Sequence, residues 1–194
     1  MLVSVRSPVA GKSVVTEKVM VLPGAALAAA SGSHMDSQYT DIDFDQCTTI
    51  ESDDMGATSV CPGYKGYPVV IGEGDLRMFV SFGIKPTEEP AMQQTLGPFN
   101  HLGKKIEWRI ESDDDTFQPR ATIVRWFTEG DGGVETGQIL VVTQIKLGAT
   151  CQIALVDALA TKNANEKARE IADKSAGNFD CSKEPEIIQP FKAY

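Results

Sequence analysis

Residues 121–157 read ATIVRWFTEGDGGVETGQILVVTQIKLGATCQIALVD, and this stretch decides the fold. It holds three apolar runs, Ala121 to Thr128, Gly137 to Leu147 and Cys151 to Asp157. The β-branched density at Ile139, Val141 and Val142 is that of a strand in the middle of a sheet. Between the runs stand Gly130-Asp131-Gly132-Gly133 and Gly148-Ala149, links too short for the crossover that parallel neighbours need. The runs therefore read as antiparallel strands. Upstream, Ile106, Trp108 and Ile110 alternate with Glu107 and Arg109, which adds a fourth strand to the meander across the Ser112–Asp115 turn.

Downstream the period changes from two to that of a helix. Ala164, Ala168, Ile171, Ala172 and Ser175 form a small-residue stripe suited to lying close on a sheet. Asn163 is placed to cap this helix with Glu166 in the capping-box position, and Gly177 to close it in the left-handed conformation. Further upstream, Leu76, Met78, Val80 and Phe82 alternate as a half-buried strand. Gly72 to Asp75 reads as its turn and Tyr67 to Ile71 as its hairpin partner. Residues 85–104 hold three prolines and no period; they read as a long covering loop, of the kind that often carries function. The expected fold is α+β, a mainly antiparallel meander with one C-terminal helix packed on it.

The four cysteines fall as two local pairs, Cys47 with Cys61 and Cys151 with Cys181. Neither pair has the C-x-x-C spacing of a zinc or thioredoxin-like site. The path of the chain selects the second pairing. A strand over 151–157 advances about 23 Å at ~3.3 Å per residue, and a helix over 164–176 returns about 20 Å at ~1.5 Å per residue. Folded back antiparallel, it delivers Cys181 to Cys151. Cys47 and Cys61 remain, at a spacing that suits a hairpin or broad loop. Two structural disulfides point outside the reducing cytosol, to a periplasmic or secreted location.

The first 35 residues differ from the rest. Arg6, Lys12 and Lys18 precede the apolar Val19–Ala30 stretch, and Ala26-Leu27-Ala28 resembles a signal-peptidase site. Gly32-Ser33-His34-Met35 resembles the scar of a cleaved expression tag. Residues 1–35 therefore read as a signal-like or tag-derived leader outside the fold, and residues 36–194 as a single domain. The chain carries a formal net charge of −9. The leader holds three of its basic residues and one acidic residue, which leaves −11 for the remainder. Such a surface repels nucleic acid and anionic lipid and favours a basic protein partner. No apolar run reaches the roughly 20 residues of a membrane helix, so no membrane insertion is expected.

Few residue patterns point to chemistry. His101 lies in the irregular loop with no nucleophile motif beside it. Gly11-Lys12-Ser13 resembles the end of a P-loop, but Arg6 stands where the first glycine belongs. Asp41, Asp43 and Asp45 resemble half of a calcium loop, yet Gln46 and Ser52 occupy its essential glycine and glutamate positions. The stretch Cys61-Pro62-Gly63-Tyr64-Lys65-Gly66-Tyr67-Pro68 is the most distinctive. A disulfide and rigid residues brace it, and Tyr64, Lys65 and Tyr67 form either a recognition surface or a cap on the sheet edge.

The runs CPGYKGYPV, EGDLRMFVSFG and CQIALVDA, the last leading into NANEKAREIAD, resemble a group of small exported alphaproteobacterial proteins with no assigned function. The resemblance spans most of residues 38–182. It implies export, and it carries no activity or site across. The functional expectation is an exported envelope or periplasmic protein acting as a non-enzymatic binding or inhibitor-like module. Its binding residues would be Tyr64, Lys65 and Tyr67, with no catalytic residue, cofactor or metal. A carboxylate-based hydrolase drawing on Asp75, Arg77 or Glu107, or a calcium-stabilised structural protein, are the alternatives.

Both cysteine pairs should resist alkylation without reductant, and non-reducing peptide mapping should return Cys47–Cys61 and Cys151–Cys181. Each bridge is expected to contribute about 2–4 kcal/mol. Four free thiols, or a bridge between the two halves, would refute the assignment.

Overall fold

Eleven regular elements order the chain in a computed structural model, which describes residues 33–113 and 116–189. These are β1 (His34–Asp41), β2 (Thr48–Asp53), β3 (Gly56–Pro62), β4 (Pro68–Gly74), β5 (Arg77–Phe82), β6 (Phe99–Ser112), β7 (Phe117–Glu129), β8 (Glu135–Gln144), β9 (Cys151–Asp157), α1 (Ala164–Ser175) and β10 (Glu186–Ile188). They build two sheets, one of six strands in the order β1-β6-β7-β8-β9-β10 and one of four in the order β2-β3-β4-β5. Every pairing is antiparallel except β9 with β10. The α+β class, the meander β6–β9 and the packed helix are as the sequence indicates.

Alternation along the central strands gives the large sheet two apolar faces. Ile106, Trp108, Val124, Trp126, Ile139 and Val141 meet Val69, Ile71, Val80 and Phe82 of the small sheet. On the opposite face Ile123, Leu140, Val142 and Val156 meet Ala164, Ala168, Ile171 and Ala172 of the helix. Strands buried on both faces read as continuous apolar runs, which is the pattern of residues 137–157. The 85–98 segment closes one side of the sandwich. The buried Glu89 carboxylate accepts from the Gly148 and Thr150 amides at 2.8 and 2.9 Å, and the Gln152 amide donates to Gln94 Oε1 at 2.7 Å.

Both disulfides form as the sequence indicates, with Cα separations of 4.2 Å for Cys47–Cys61 and 5.9 Å for Cys151–Cys181. The first joins the foot of the β2–β3 hairpin. The second seals the β9–α1–β10 crossover, where Gln144 Nε2 donates to the Phe179 carbonyl at 3.0 Å and lies 3.3 Å from Cys181 Sγ. Gly177 closes the helix at φ +84°, a conformation that disfavours residues with a Cβ.

The structure corrects four local readings. Asn163 stands at φ +55° and makes no side-chain cap, because a capping side chain reaches the first-turn amides only from an extended backbone. The hairpin turn is Asp75-Leu76, with Gly72 to Gly74 inside β4. Strand β6 begins at Phe99, so residues 99–104 leave the long loop. Strand β1 begins at His34, which takes His34 and Met35 into the fold, whereas residues 1–32 lie outside the described residues. The described residues belong to the compact unit Ser31–Tyr194.

Charge, not apolar contact, joins the helix to the edge of the large sheet. Glu107 and Arg109 on β6 are only 8% and 6% exposed. Arg169 binds Glu107 in bidentate fashion at 2.6 and 3.2 Å, and Arg109 binds Asp173 at 2.7 Å through two nitrogens. Ser37 of β1 donates to Glu107 and accepts from Arg109, linking the two pairs. The contact to Glu107 raises the Arg169 pKa further above its ordinary range.

Removing one partner of a buried pair strands the other. Asp173→Ala should therefore cost about 3 kcal/mol, the low end for buried pairs because Asp173 is partly exposed. The double variant Arg109→Met/Asp173→Leu should lose less. Urea denaturation of both variants checks this, and a single-variant loss under about 1 kcal/mol would show that apolar contacts alone hold the helix.

Candidate functional site

The braced loop 61–68 is spent largely on the core. Tyr64 and Tyr67 are half-buried and pack on Trp108 at centroid distances of 6.3 and 6.4 Å. Gly63 permits that approach, since a Cβ there would lie 2.2 Å from the Tyr67 carbonyl oxygen and 2.9 Å from the Trp108 ring. Lys65 stays exposed, its ammonium 4.0 Å from the Phe117 ring centroid. Of the three residues singled out in the sequence, Lys65 alone is free of the apolar packing.

A more developed site lies at the opposite end of the strands, around the β4–β5 hairpin tip. A two-residue hairpin turn of type I′ has left-handed backbone at both positions, and Asp75 and Leu76 stand at φ +51° and +58°. Asp tolerates this conformation, whereas Leu pays roughly 1–2 kcal/mol for its Cβ. Leu76 is also 61% exposed. A strained, solvated leucine occupies the position where turn chemistry favours glycine.

The tip is held rigid from beneath. The Asn100 amide donates to the Leu76 carbonyl at 3.0 Å, and Asn100 Oδ1 accepts from the Met78 amide at 3.0 Å. Asn100 Nδ2 donates to the Pro98 carbonyl at 2.8 Å, and Thr95 Oγ1 to the Met78 carbonyl at 2.7 Å.

Leu76 separates two cavities. One, of about 460 Å³, opens between the sheets, with Ile71, Met78 and Leu102 as apolar walls and Phe44, Glu73 and His101 at its rim. The other, of about 620 Å³, runs from Arg77 and Phe99 to the glycine-rich 130–133 turn. Glu129 lines both and accepts from His101 Nδ1 at 2.9 Å, while the His101 ring stacks on Phe127. Arg77 lies over Phe99, 5.2 Å from its centroid, and is paired with Asp75 and the Gly97 carbonyl. Phe99 and Phe44 are 40% and 57% exposed.

By alternation with Met78 and Val80, Leu76 fits a strand, yet it stands in the turn. The legible signal was an apolar residue following Gly74-Asp75, where the hairpin has room for only two turn residues. The His101–Glu129 pair, 28 positions apart, left no local mark. Arg77 lines the larger cavity and Asp75 pairs with it, but Glu107 is buried under the helix. Among the described residues no group of three or more His, Cys, Asp or Glu side chains is placed to hold a metal. Asp41 pairs with Lys105, and Asp43 caps the turn that carries Phe44. No helix among the described residues is long and apolar enough to cross a membrane. No family model, curated protein or solved structure matches the chain.

A smaller recess of about 240 Å³ at the C-terminal end of α1 is walled by Glu111, Arg120 and Asp173. Arg120 pairs with Glu111 and Asp173 with Arg109, and Lys174 also lines the recess. The hydrogen bond from Arg120 holds the Glu111 carboxyl below the usual carboxylate range. A depressed carboxylate pKa contributes stability above the unfolded-state value and loses it as pH falls through the folded-state value. Glu111→Gln should therefore be less stable than the parent at neutral pH, and the gap should close as pH drops below the ordinary carboxylate range. Thermal melting across that range checks the sign. A gap independent of pH would mean that Glu111 acts through packing rather than charge.

Proposed function

We propose that this chain is a non-enzymatic binding module of an oxidising, extracytoplasmic compartment, periplasmic or secreted, that takes its partner at the cleft beside the β4–β5 tip. The two disulfides support the compartment. Leu76 carries the binding reading. Backbone strain and exposed apolar area both act against folding, and a position that keeps both points to a use outside the folded state itself. Around it Phe99 and Phe44 add exposed apolar surface, and the Asn100 bonds fix the tip before any partner arrives. A pre-organised apolar anchor beside recesses is what a binding hot spot requires.

The reading separates function from stability at one residue. Leu76→Gly should leave stability unchanged or raise it by up to about 1 kcal/mol, since glycine adopts this backbone without strain. The same change should abolish capture. A photo-crosslinking residue at position 99 should give a discrete adduct with extract of the compartment, and one at exposed Leu159 should not. Loss of the adduct in the Leu76→Gly background is the expected result. Equal adducts at both positions, or an adduct indifferent to Leu76, would refute the cleft as the site.

A further inference from the structure

We infer that the partner is a cationic polypeptide: a lysine or arginine side chain enters the inter-sheet cavity toward Glu73 and Glu129, while an apolar neighbour settles on Leu76 and Phe99. This inference rests on the binding reading above and names its partner.

The chemistry of the cavity sets the occupant. Ile71, Met78 and Leu102 give it apolar walls. The buried Asn100 beside them is committed to the backbone of Met78 and Pro98, and the carboxylates of Glu73 and Glu129 also line the cavity. A long methylene stem with a terminal cation matches that lining, because Lys and Arg bury the stem and keep the charge near polar groups. The surroundings are acidic as well. A shallow recess on the neighbouring hairpin shares Glu73 with the cleft and adds Glu51 and Asp53. Arg77 is already engaged with Asp75, and the His101 ring is hydrogen-bonded to Glu129. An acidic or neutral partner would bury Glu73 without compensation, which is costly. A cationic one is steered in by the chain's net charge of −9.

The apolar half of the site distinguishes a polypeptide from a free polyamine. Leu76, Phe99 and Phe44 are exposed together around the two cavities, and a polyamine has no side chain to cover them. A peptide crossing the hairpin tip places a cation on one side of Leu76 and an apolar group on the other.

Four probes test this on the full chain: a short peptide alternating lysine and leucine, its glutamate–leucine and lysine–serine counterparts, and spermidine. Fluorescence anisotropy gives affinities, and amide chemical shifts of Leu76, Phe99 and His101 give the location. The lysine–leucine peptide should bind tightest, shift those amides and weaken as salt rises. Leu76→Gly should weaken it about tenfold or more, as for a hot-spot residue. Glu73→Gln should weaken it several-fold and flatten its salt dependence.

Equal binding of the glutamate–leucine peptide, or indifference to Glu73→Gln, would overturn the cationic class and leave the binding reading standing. Spermidine or the lysine–serine peptide binding as tightly as lysine–leucine would overturn the polypeptide with an apolar anchor. If no probe shifts the cleft amides and the position-99 adduct is also absent, the binding reading falls as well.

Discussion

Burial of Trp108 between the two sheets is the contact on which the other layers depend. Its ring meets Phe82 of the small sheet at 5.6 Å and receives Tyr64 and Tyr67 from the disulfide-braced loop. Its Nε1 donates to Thr40 Oγ1 of β1 at 2.8 Å. One fully buried side chain thus ties together the small sheet, the loop and the edge strand of the large sheet. A buried indole combines a large apolar area with a polar edge that needs a partner, and this geometry supplies both. The tyrosines are consequently held half inside.

The opposite face of the same strand obeys a different rule. Beside Trp108, Glu107 and Arg109 point to the helix and are buried with Arg169 and Asp173. Over β7 to β9 the helix rests on alanine and isoleucine, so its seating there is close but weakly directional. Bidentate ion pairs are directional. They set the helix against β6 and β1, and Ser37 joins them into one network. Apolar burial supplies the driving force for the layer, and the charges fix its position.

The cleft end runs against both trends. Its hairpin tip keeps a leucine in left-handed backbone, and three large apolar side chains remain in water among carboxylates. The surrounding hydrogen bonds from Asn100 and Thr95 hold that arrangement in place. On the binding reading proposed above, strain and exposure under such bracing serve a partner outside the chain. Cavities open on both sides of Leu76, one walled by Ile71, Met78 and Leu102 and the other by Arg77, Phe99 and the 130–133 turn, and Glu129 lines both.

How much of this was legible follows from how far each interaction reaches along the chain. The sequence determined the meander, because two-sided burial writes continuous apolar runs and short glycine turns leave no parallel option. It also determined the helix, and both disulfides, since a strand and a returning helix of matched length bring Cys181 to Cys151. Tertiary structure alone decided the rest. Strand β1, HMDSQYTD, carries no apolar alternation and is a strand because β6 offers it an open edge. Strands β2 and β3 form through mutual pairing and the pairing of β3 with β4, and β10 through three residues beside β9. The place of the Asp75-Leu76 turn was set by the register of β4 with β5, against an alternation that put Leu76 in the strand. The pairing of His101 with Glu129 and the opening between the sheets exist only where distant strands converge. Local periodicity records which face a residue turns inward; it does not record which remote group will be waiting there.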